Sequence, residues 1–417
     1  MKMPQRGSWH WWVSVLLLLA TMINYMDRQT LANLSVRITK QFNLSNEQYG
    51  NLELYFGIAF AFGSLFFGAL ADRVSVRVLY PLVLFSWSMV GFVTGLTNSY
   101  ESMLACRTLL GFFEAGHWPC ALVVTYAIMT QGERAMGNSV LQSGASLGAI
   151  LTPLIIRSLV GPPTEPDGWR PPFLIIGTVG ILWCILWLLI VRKGSIQTPN
   201  SRAEKNAKSP QQFWLFEFIA NPKFWALVIM VVSINATWQL IRAWLNKFLQ
   251  EGRGYSESEA LYFNSAYFIA TDIGCLIAGS AALWLARRGW DIHRSRLTVY
   301  AVCAMLTMLT SVAAMLPAGW LLLGTLLLVG AALLGLFPCY YSFAQEISSS
   351  RLGKATGLLG FLAWFLTSPL QRYFGKYVDQ TGSFDLGLAV VGFAPILGLI
   401  AMLVLWREPK NSIVKES

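Results

Sequence analysis

Long apolar runs recur along the whole chain and indicate its architecture. Twelve of them have the length that a membrane-spanning helix needs, about 20 residues. Their boundaries fall near 9–32, 47–70, 76–97, 100–128, 135–158, 171–192, 222–246, 258–286, 295–316, 319–346, 354–377 and 384–406. Membrane-spanning β-strands would instead show a weak alternation of apolar and polar residues over about ten residues. The pattern therefore predicts an all-α polytopic membrane protein with twelve transmembrane helices.

A polar stretch rich in Lys, Ser, Asn and Pro interrupts this pattern between the sixth and seventh runs. We predict an N-terminal six-helix bundle at 1–193, a linker at 194–221 and a C-terminal six-helix bundle at 222–417. Of the 31 Lys and Arg residues, 20 fall at the termini and even-numbered loops and 8 at the odd-numbered loops. Basic residues favour the cytoplasmic side, so we expect both termini and the linker to be cytoplasmic, with the protein in the cell (inner) membrane.

The two halves resemble each other at a nearly constant offset. The sequence GHWPCA at 116–121 corresponds to GLFPCY at 335–340, which lies 219 residues later. Parallel six-helix repeats are an architecture of secondary transporters, in which the substrate site lies at the midplane between the halves. We therefore predict two pseudo-symmetric halves, with a shared helix kink at Pro119 and Pro338.

Composition excludes several other classes of protein. Charged residues make up 12% of the chain, against about 25% in soluble domains. The net charge of +10 is spread over alternate loops, so no nucleic-acid partner is predicted. The six cysteines fall inside apolar runs without ligand-like spacing, so we predict no metal site. The sequence also lacks a phosphate-binding loop and a nucleophile elbow, which argues against an ATP-driven pump and against an enzyme.

Ionisable residues inside the apolar runs are the first candidates for a functional site. The fourth run carries Arg107 and Glu114 on nearly the same helix face, and the first carries Asp27, Arg28 and, on the face of Arg28, Asn24. Such groups are expensive at bilayer depth and by default face the bundle interior. We interpret the fourth-run residues as a proton switch, because a buried carboxylate is ionised beside a cation and takes a proton without one.

Charge counting predicts that protons enter with an anion. The two arginines in the first half balance two carboxylates, so an entering anion would leave the pocket negative. By the 219-residue offset, Arg107 corresponds to Leu326 and Glu114 to Leu333. We therefore expect proton coupling in the first half.

Neutral polar and aromatic side chains suit the hydroxyl groups of a sugar acid, with helix–helix hydrogen bonding as the competing interpretation. The candidates for substrate contact are Asn24, Tyr25, Gln142, Gln239, Asn264, Tyr340, Tyr341, Ser342 and Gln345. Asp272 is a possible site residue because it is a lone acid within a run. Trp118 and Trp364 could stack on a sugar face or pack in the core. His117 could join a proton path, and for Arg242 snorkelling towards the interface is the favoured interpretation.

Two sets of motifs resemble a known family. The stretch GALADRVSVR at 68–77 resembles the cytoplasmic loop signature of the major facilitator superfamily, G-x-x-x-D-R-x-x-x-R. There the loop charges latch the inward gate, which implies gating roles for Asp72, Arg73 and Arg77. NYMDR at 24–28 resembles the anion:cation symporter family of that superfamily.

Further motifs strengthen the second resemblance. The stretch RTLLGFFEAGHWP at 107–119 also resembles the anion:cation symporters, and ATDIG at 270–274 resembles their sugar-acid members, the bacterial hexuronate and galactonate transporters. The resemblance implies that Arg28 holds the substrate carboxylate. It also implies proton-binding roles for Asp27 and Glu114, with Arg107 as the partner of that pair.

The implied activity is proton-coupled symport that imports a sugar acid (a hexuronate or aldonate) or similar organic anion by alternating access. Two alternatives stay open. One is a sodium-coupled or exchange carrier of another carboxylate, and the other is a membrane receptor or scaffold that binds without transporting. We expect a monomer in the lipid bilayer, with the proton as the coupling ion and no cofactor.

Overall fold

The computed structural model describes residues 9–71, 73–129, 133–162, 165, 167–191, 196, 218–346 and 352–406. A helix occupies each of the twelve predicted runs. In the first half these are α1 (Trp9–Asn33, followed by Ser35–Gln41), α2 (Asn46–Ala71), α3 (Val76–Thr94), α4 (Tyr100–Glu114 and His117–Ile128), α5 (Arg134–Leu159) and α6 (Arg170–Ile190). In the second half they are α7 (Pro222–Lys247, continued by the π-helical turn Phe248–Gly252), α8 (Glu257–Arg287), α9 (Ile292–Thr307 and Thr310–Met315), α10 (Trp320–Glu346), α11 (Leu352–Thr367 and Pro369–Thr381) and α12 (Asp385–Val391 and Ala394–Leu405).

Nine of the described helices are long and apolar enough to cross a membrane by length and composition alone. The other three are α1, α4 and α11. The helix α1 carries buried charges, while α4 and α11 are each broken in the middle.

Glycines bring corresponding helices together in the two halves. A Cβ atom on Gly111 of α4 would lie 2.3 Å from the carbonyl oxygen of Phe56 on α2. Gly330 of α10 occupies the corresponding position, and a Cβ there would lie 2.6 Å from the ring of Tyr267 on α8. The helix pairs α2–α4 and α8–α10 are thus packed in similar ways, as the repeat predicts.

The halves meet at the end that carries the odd-numbered loops, which we call the odd-loop end. A Cβ on Gly50 of α2 would lie 2.3 Å from the carbonyl oxygen of Gln371 on α11. At the tip of α11, the carboxylate of Asp379 accepts hydrogen bonds from the backbone N–H groups of Asn46 and Glu47, at 2.9 and 2.8 Å. This backbone contact holds α2 against the second half.

A second set of contacts closes the same end around α1. Asn33 accepts hydrogen bonds from Asn246 at its carbonyl oxygen (2.5 Å) and from Asn264 at its side-chain oxygen (2.7 Å). Arg37 forms an ion pair with Glu257 at 2.6 Å. Together with the α2–α11 contact, these bonds close the odd-loop end.

Neither of the prolines predicted to kink a helix coincides with a helix break. The break in α4 falls at Ala115 and Gly116 instead of at Pro119. Pro119 lies in the first turn of the second segment, where its missing N–H costs no helical hydrogen bond. The helix α10 runs through Pro338 without a break. The predicted linker, apart from residues 196 and 218–221, lies outside the described residues.

Candidate substrate and proton site

The charges of α1 and α4 meet inside the first half. Nη2 of Arg28 lies 2.8 Å from Oε2 of Glu114, and Nε donates to the same oxygen at 3.2 Å. Asn24, one turn before Arg28, accepts a hydrogen bond from the same guanidinium at 3.4 Å. Glu114 is fully buried and Arg28 is 5% exposed. Breaking this pair without a replacement would leave two buried charges uncompensated.

Four aromatic rings surround the Arg28 guanidinium. Its Cζ atom lies between 5.0 and 5.4 Å from the ring centroids of Tyr25, Phe56, Phe60 and Trp364. Trp364 belongs to α11, and its ring packs on that of Phe60 with the centroids 4.7 Å apart. Aromatic faces attract a cation. Arg28 therefore lies where the two halves meet, and the second half contributes to its surroundings.

Asp27 faces α3 instead of the aromatic rings around Arg28. A Cβ on Gly91 of α3 would lie 2.9 Å from Oδ1 of Asp27. The side chain is buried, and Oδ2 has no hydrogen-bond partner among the described residues. We call Asp27, Arg28 and Glu114 the Arg28 cluster; with every group ionised it carries one negative charge in excess.

The expected pair between Arg107 and Glu114 does not form. Nη2 of Arg107 instead donates to Oε1 of Glu53, on α2, at 2.7 Å. Arg107 and Glu114 lie two helical turns, roughly 10 Å, apart along α4, and each takes a partner from a neighbouring helix instead. The predicted pairing was therefore wrong, and the proton-coupling roles stay predictions.

Arg242 is buried and paired, so the interpretation of a snorkelling side chain was also wrong. Its Nη2 donates to Oε2 of Glu53 at 2.5 Å, and its Nε donates to Oε1 of Gln239 at 2.8 Å. Glu53, from the opposite half, compensates the charge of Arg242, which a snorkelling side chain would instead place in the polar membrane interface. We call Glu53, Arg107 and Arg242 the Glu53 cluster; it carries one positive charge in excess.

Glu53 is the charged residue that the sequence interpretation missed. It lies within LELYFGIAF at 52–60, an apolar stretch of the second run. The rule that selected Glu114, an acid inside a spanning run, applies equally to Glu53. Its place near the beginning of the run is also compatible with an interfacial position. Only the three-dimensional structure brings it to Arg107 and Arg242.

Both clusters contact the ring of Phe56. The Cζ atoms of Arg107 and Arg28 are 4.2 and 5.4 Å from the centroid of Phe56. The clusters are therefore neighbours, with the excess positive charge in the Glu53 cluster and the excess negative charge in the Arg28 cluster.

Two of the second-half candidates form hydrogen bonds across the halves. Asn264 donates to Asn33 at the odd-loop end, as described above. Asp272 of α8 accepts a hydrogen bond from Ser146 of α5 at 2.8 Å. Both residues therefore join the halves in this conformation.

The other neutral candidates are spread along α5 and α10. The rings of Tyr340 and Tyr341 have their centroids 5.2 Å apart. Ser342 donates to the carbonyl oxygen of Pro338 within its own helix at 2.8 Å. The exposed candidates are Gln142, Tyr341 and Gln345.

His117 and Trp118 pack in the interior of the first half. Nε2 of His117 lies 3.1 Å from Oγ1 of Thr21, and Nδ1 lies 3.0 Å from the hydroxyl of Tyr80. The ring of Trp118 packs beside that of His117, with the centroids 5.1 Å apart. Both nitrogens of His117 thus have partners on α1 and α3, which favours a structural role.

Two of the predicted gating residues, Arg73 and Arg77, lie at the other end of the protein. Arg73 is exposed, and Nε of Arg77 donates to the carbonyl oxygen of Val191, after α6, at 2.9 Å. Asp72 lies outside the described residues. The gating roles of all three stay predictions.

Comparison with known proteins identifies the class to which this fold belongs. The sequence model of the Major Facilitator Superfamily matches residues 17–371. The chain therefore belongs to the Major Facilitator Superfamily, whose members are membrane transporters and not enzymes. The prediction of a multi-pass, twelve-helix major facilitator fold is confirmed.

Its curated relatives include sugar-acid transporters, as the motifs predicted. The chain is 26% identical over 418 residues to the probable L-galactonate transporter of Escherichia coli K12, covering 96% of this chain and 90% of that protein. It is 22% identical over 443 residues to the hexuronate transporter of the same organism, covering 98% and 96%. It is 23% identical over 410 residues to the probable sulfoacetate transporter of Cupriavidus necator, covering 93% and 91%.

Solved structures support the fold. A bacterial homolog to the human lysosomal transporter Spinster, in an inward-facing and unoccupied conformation, has a TM-score of 0.75 at 17% identity and covers 97% of this chain and 96% of its own. The nucleoside transporter NupG has a TM-score of 0.73 at 14% identity and covers 95% and 100%. At these identities the likeness establishes the fold alone.

Proposed function

We propose that this protein is a proton-coupled symporter that imports a sugar acid, a hexuronate or aldonate, or a similar organic anion. The observation that carries the proposal is the buried Arg28–Glu114 ion pair at the contact between the halves. The substrates for which the relatives are named support the substrate class, since L-galactonate, hexuronates and sulfoacetate all carry a carboxylate.

The ion pair gives a physical route to coupling. A substrate carboxylate fits the planar fork of Arg28 and competes with Glu114 for it. Once displaced, Glu114 lies in a low-dielectric interior without a cation and takes up a proton. The Arg28 and Glu53 clusters together hold three arginines and three carboxylates, so entry of an anion without a proton would leave one uncompensated negative charge in the interior. Asp27 provides a further carboxylate for protons.

The surroundings suit the rest of a sugar acid. Trp364, which lies over Arg28, offers a face for a sugar ring, and Gln239 of α7 lies beside Arg242 in the neighbouring cluster. With the termini in the cytoplasm, the closed odd-loop end is extracellular, so this conformation is closed to the outside. One chain holds both clusters, so we propose a functional monomer with the proton as its coupling ion.

Uptake by proteoliposomes tests this function. Labelled galactonate and glucuronate are offered with an imposed pH gradient, with a sodium gradient, or with neither. We expect accumulation with the pH gradient alone. Accumulation that needs sodium and ignores the pH gradient would favour the sodium-coupled alternative. Binding without counterflow of labelled substrate would favour a receptor or scaffold.

A further inference from the structure

The Glu53 cluster joins the two halves and contains unused hydrogen-bond donors. One carboxylate bridges two guanidinium groups, from α4 of its own half and α7 of the other. Nε and Nη1 of Arg107 and Nη1 of Arg242 are buried and have no hydrogen-bond partner among the described residues. The cluster therefore has more capacity for an anion than Glu53 alone uses.

The two ion pairs of Glu53 respond differently when the halves move apart. The helices α2 and α4 are packed backbone to backbone at Gly111, so Glu53 and Arg107 move together within the first half. Arg242 belongs to the second half, where Gln239 holds its Nε one turn away. Opening of the odd-loop end consequently leaves Glu53 with Arg107 and leaves Arg242 without an acidic partner.

We propose that Arg242 is a second carboxylate-binding residue, which holds the substrate anion when the odd-loop end is open. In the closed conformation Glu53 takes the place of the substrate carboxylate at its guanidinium. The inference rests on the proposed function and adds a cationic contact from the second half, where the sequence indicated mostly neutral side chains. The ligand is the carboxylate of an organic anion, because the free fork of an arginine matches that group.

Arg242 and Arg28 belong to neighbouring clusters. Arg107, which shares Glu53 with Arg242, lies over the same Phe56 ring as Arg28. An anion first held at Arg242 is released when Glu53 returns to the guanidinium on closure. Arg28, in the neighbouring cluster, is then available for the same carboxylate.

The competing explanation is that Glu53 and Arg242 form only a latch. Arg242→Gln and Glu53→Gln both remove the same cross-half ion pair, but only Arg242→Gln also removes the guanidinium that would hold the substrate. Comparison of the two variants therefore separates these explanations. The measurement is the KM for uptake of labelled galactonate or glucuronate, whichever the wild type transports, applied outside intact cells. We expect KM to be at least tenfold higher in Arg242→Gln than in Glu53→Gln. Equal KM values would overturn the inference.

Two further measurements keep the test decisive. Spin labels at the exposed positions Gln41 and Gln380, one in each half, report the width of the odd-loop end. Both variants should increase the population of long distances; no change in either would overturn the inference.

Arg242→Lys, which keeps the charge without the fork, should give an intermediate KM if Arg242→Gln does not insert. A wild type that neither binds nor transports any carboxylate would overturn the proposed function as well, whereas normal transport with equal KM values overturns only this inference.

Discussion

The Arg28 guanidinium and the Glu114 carboxylate form a buried ion pair 2.8 Å long between α1 and α4. Within the Arg28 cluster these two residues are paired with each other, whereas Asp27 faces α3. A ligand that takes one of them therefore changes the charge state that the other can hold.

Glu114→Gln should separate transport from coupling. Glutamine keeps the size of the side chain but cannot exchange a proton, so accumulation driven by a pH gradient should fall to the level of equilibration. Counterflow of labelled substrate, which needs no gradient, should persist. Glu101→Gln, at an exposed acid in the first turn of α4, is the matched control and should accumulate like wild type. Undiminished accumulation in Glu114→Gln would remove this residue from the coupling mechanism.

Arg28→Lys should weaken substrate binding although it preserves the charge. Lysine lacks the fork that holds a carboxylate through two parallel hydrogen bonds. We expect Kd to rise at least about tenfold, which corresponds to about 1.4 kcal/mol. The measurement is titration of the purified protein with galactonate or glucuronate, and Arg73→Lys at an exposed site is the control. An unchanged Kd would contradict the assignment of Arg28.

Gly50→Ala should oppose closure of the odd-loop end. The added methyl group would lie 2.3 Å from the carbonyl oxygen of Gln371, a backbone atom that cannot rotate away. We expect spin-label distances between Gln41 and Gln380 to lengthen and the initial uptake rate to fall severalfold. Gly324→Ala, at an exposed glycine of α10 with no atom within 4 Å of the added group, should change neither. Wild-type distances in Gly50→Ala would mean that this contact does not determine closure.

His117→Leu should lower stability without affecting coupling. The change leaves the buried hydroxyl of Tyr80 without its partner, a loss of roughly 1–3 kcal/mol. We expect a lower apparent Tm in detergent, together with a wild-type accumulation ratio in proteoliposomes at low temperature. A normal Tm with lost accumulation would instead place His117 in the proton path.

The helices themselves were predictable from the sequence because spanning a bilayer requires long apolar segments. All twelve runs correspond to helices, and the repeat placed Gly111 and Gly330 at corresponding positions. The break in α4 was placed at Pro119, although Ala115 and Gly116 form it. A proline marks where a helix can begin as well as where it can bend, and the sequence does not distinguish the two.

The partners of the buried charges were not predictable in the same way. Helical periodicity shows that Arg107 and Glu114 share a face, but it contains no information about which neighbouring helix covers that face. Arg107 meets Glu53 from α2, and Glu114 meets Arg28 from α1. Arg242, near the end of its run, finds its acid in the opposite half. Such pairings depend on packing between helices distant in sequence.

Proton movement driven by substrate tests the central claim most directly. Proteoliposomes that contain a pH-sensitive dye receive an inward gradient of galactonate or glucuronate, without any imposed pH gradient. We predict that the wild type acidifies the lumen when substrate is added and that Glu114→Gln does not, although both show counterflow of labelled substrate. Equal acidification by the two proteins, or substrate entry into wild-type vesicles without acidification, would contradict the account.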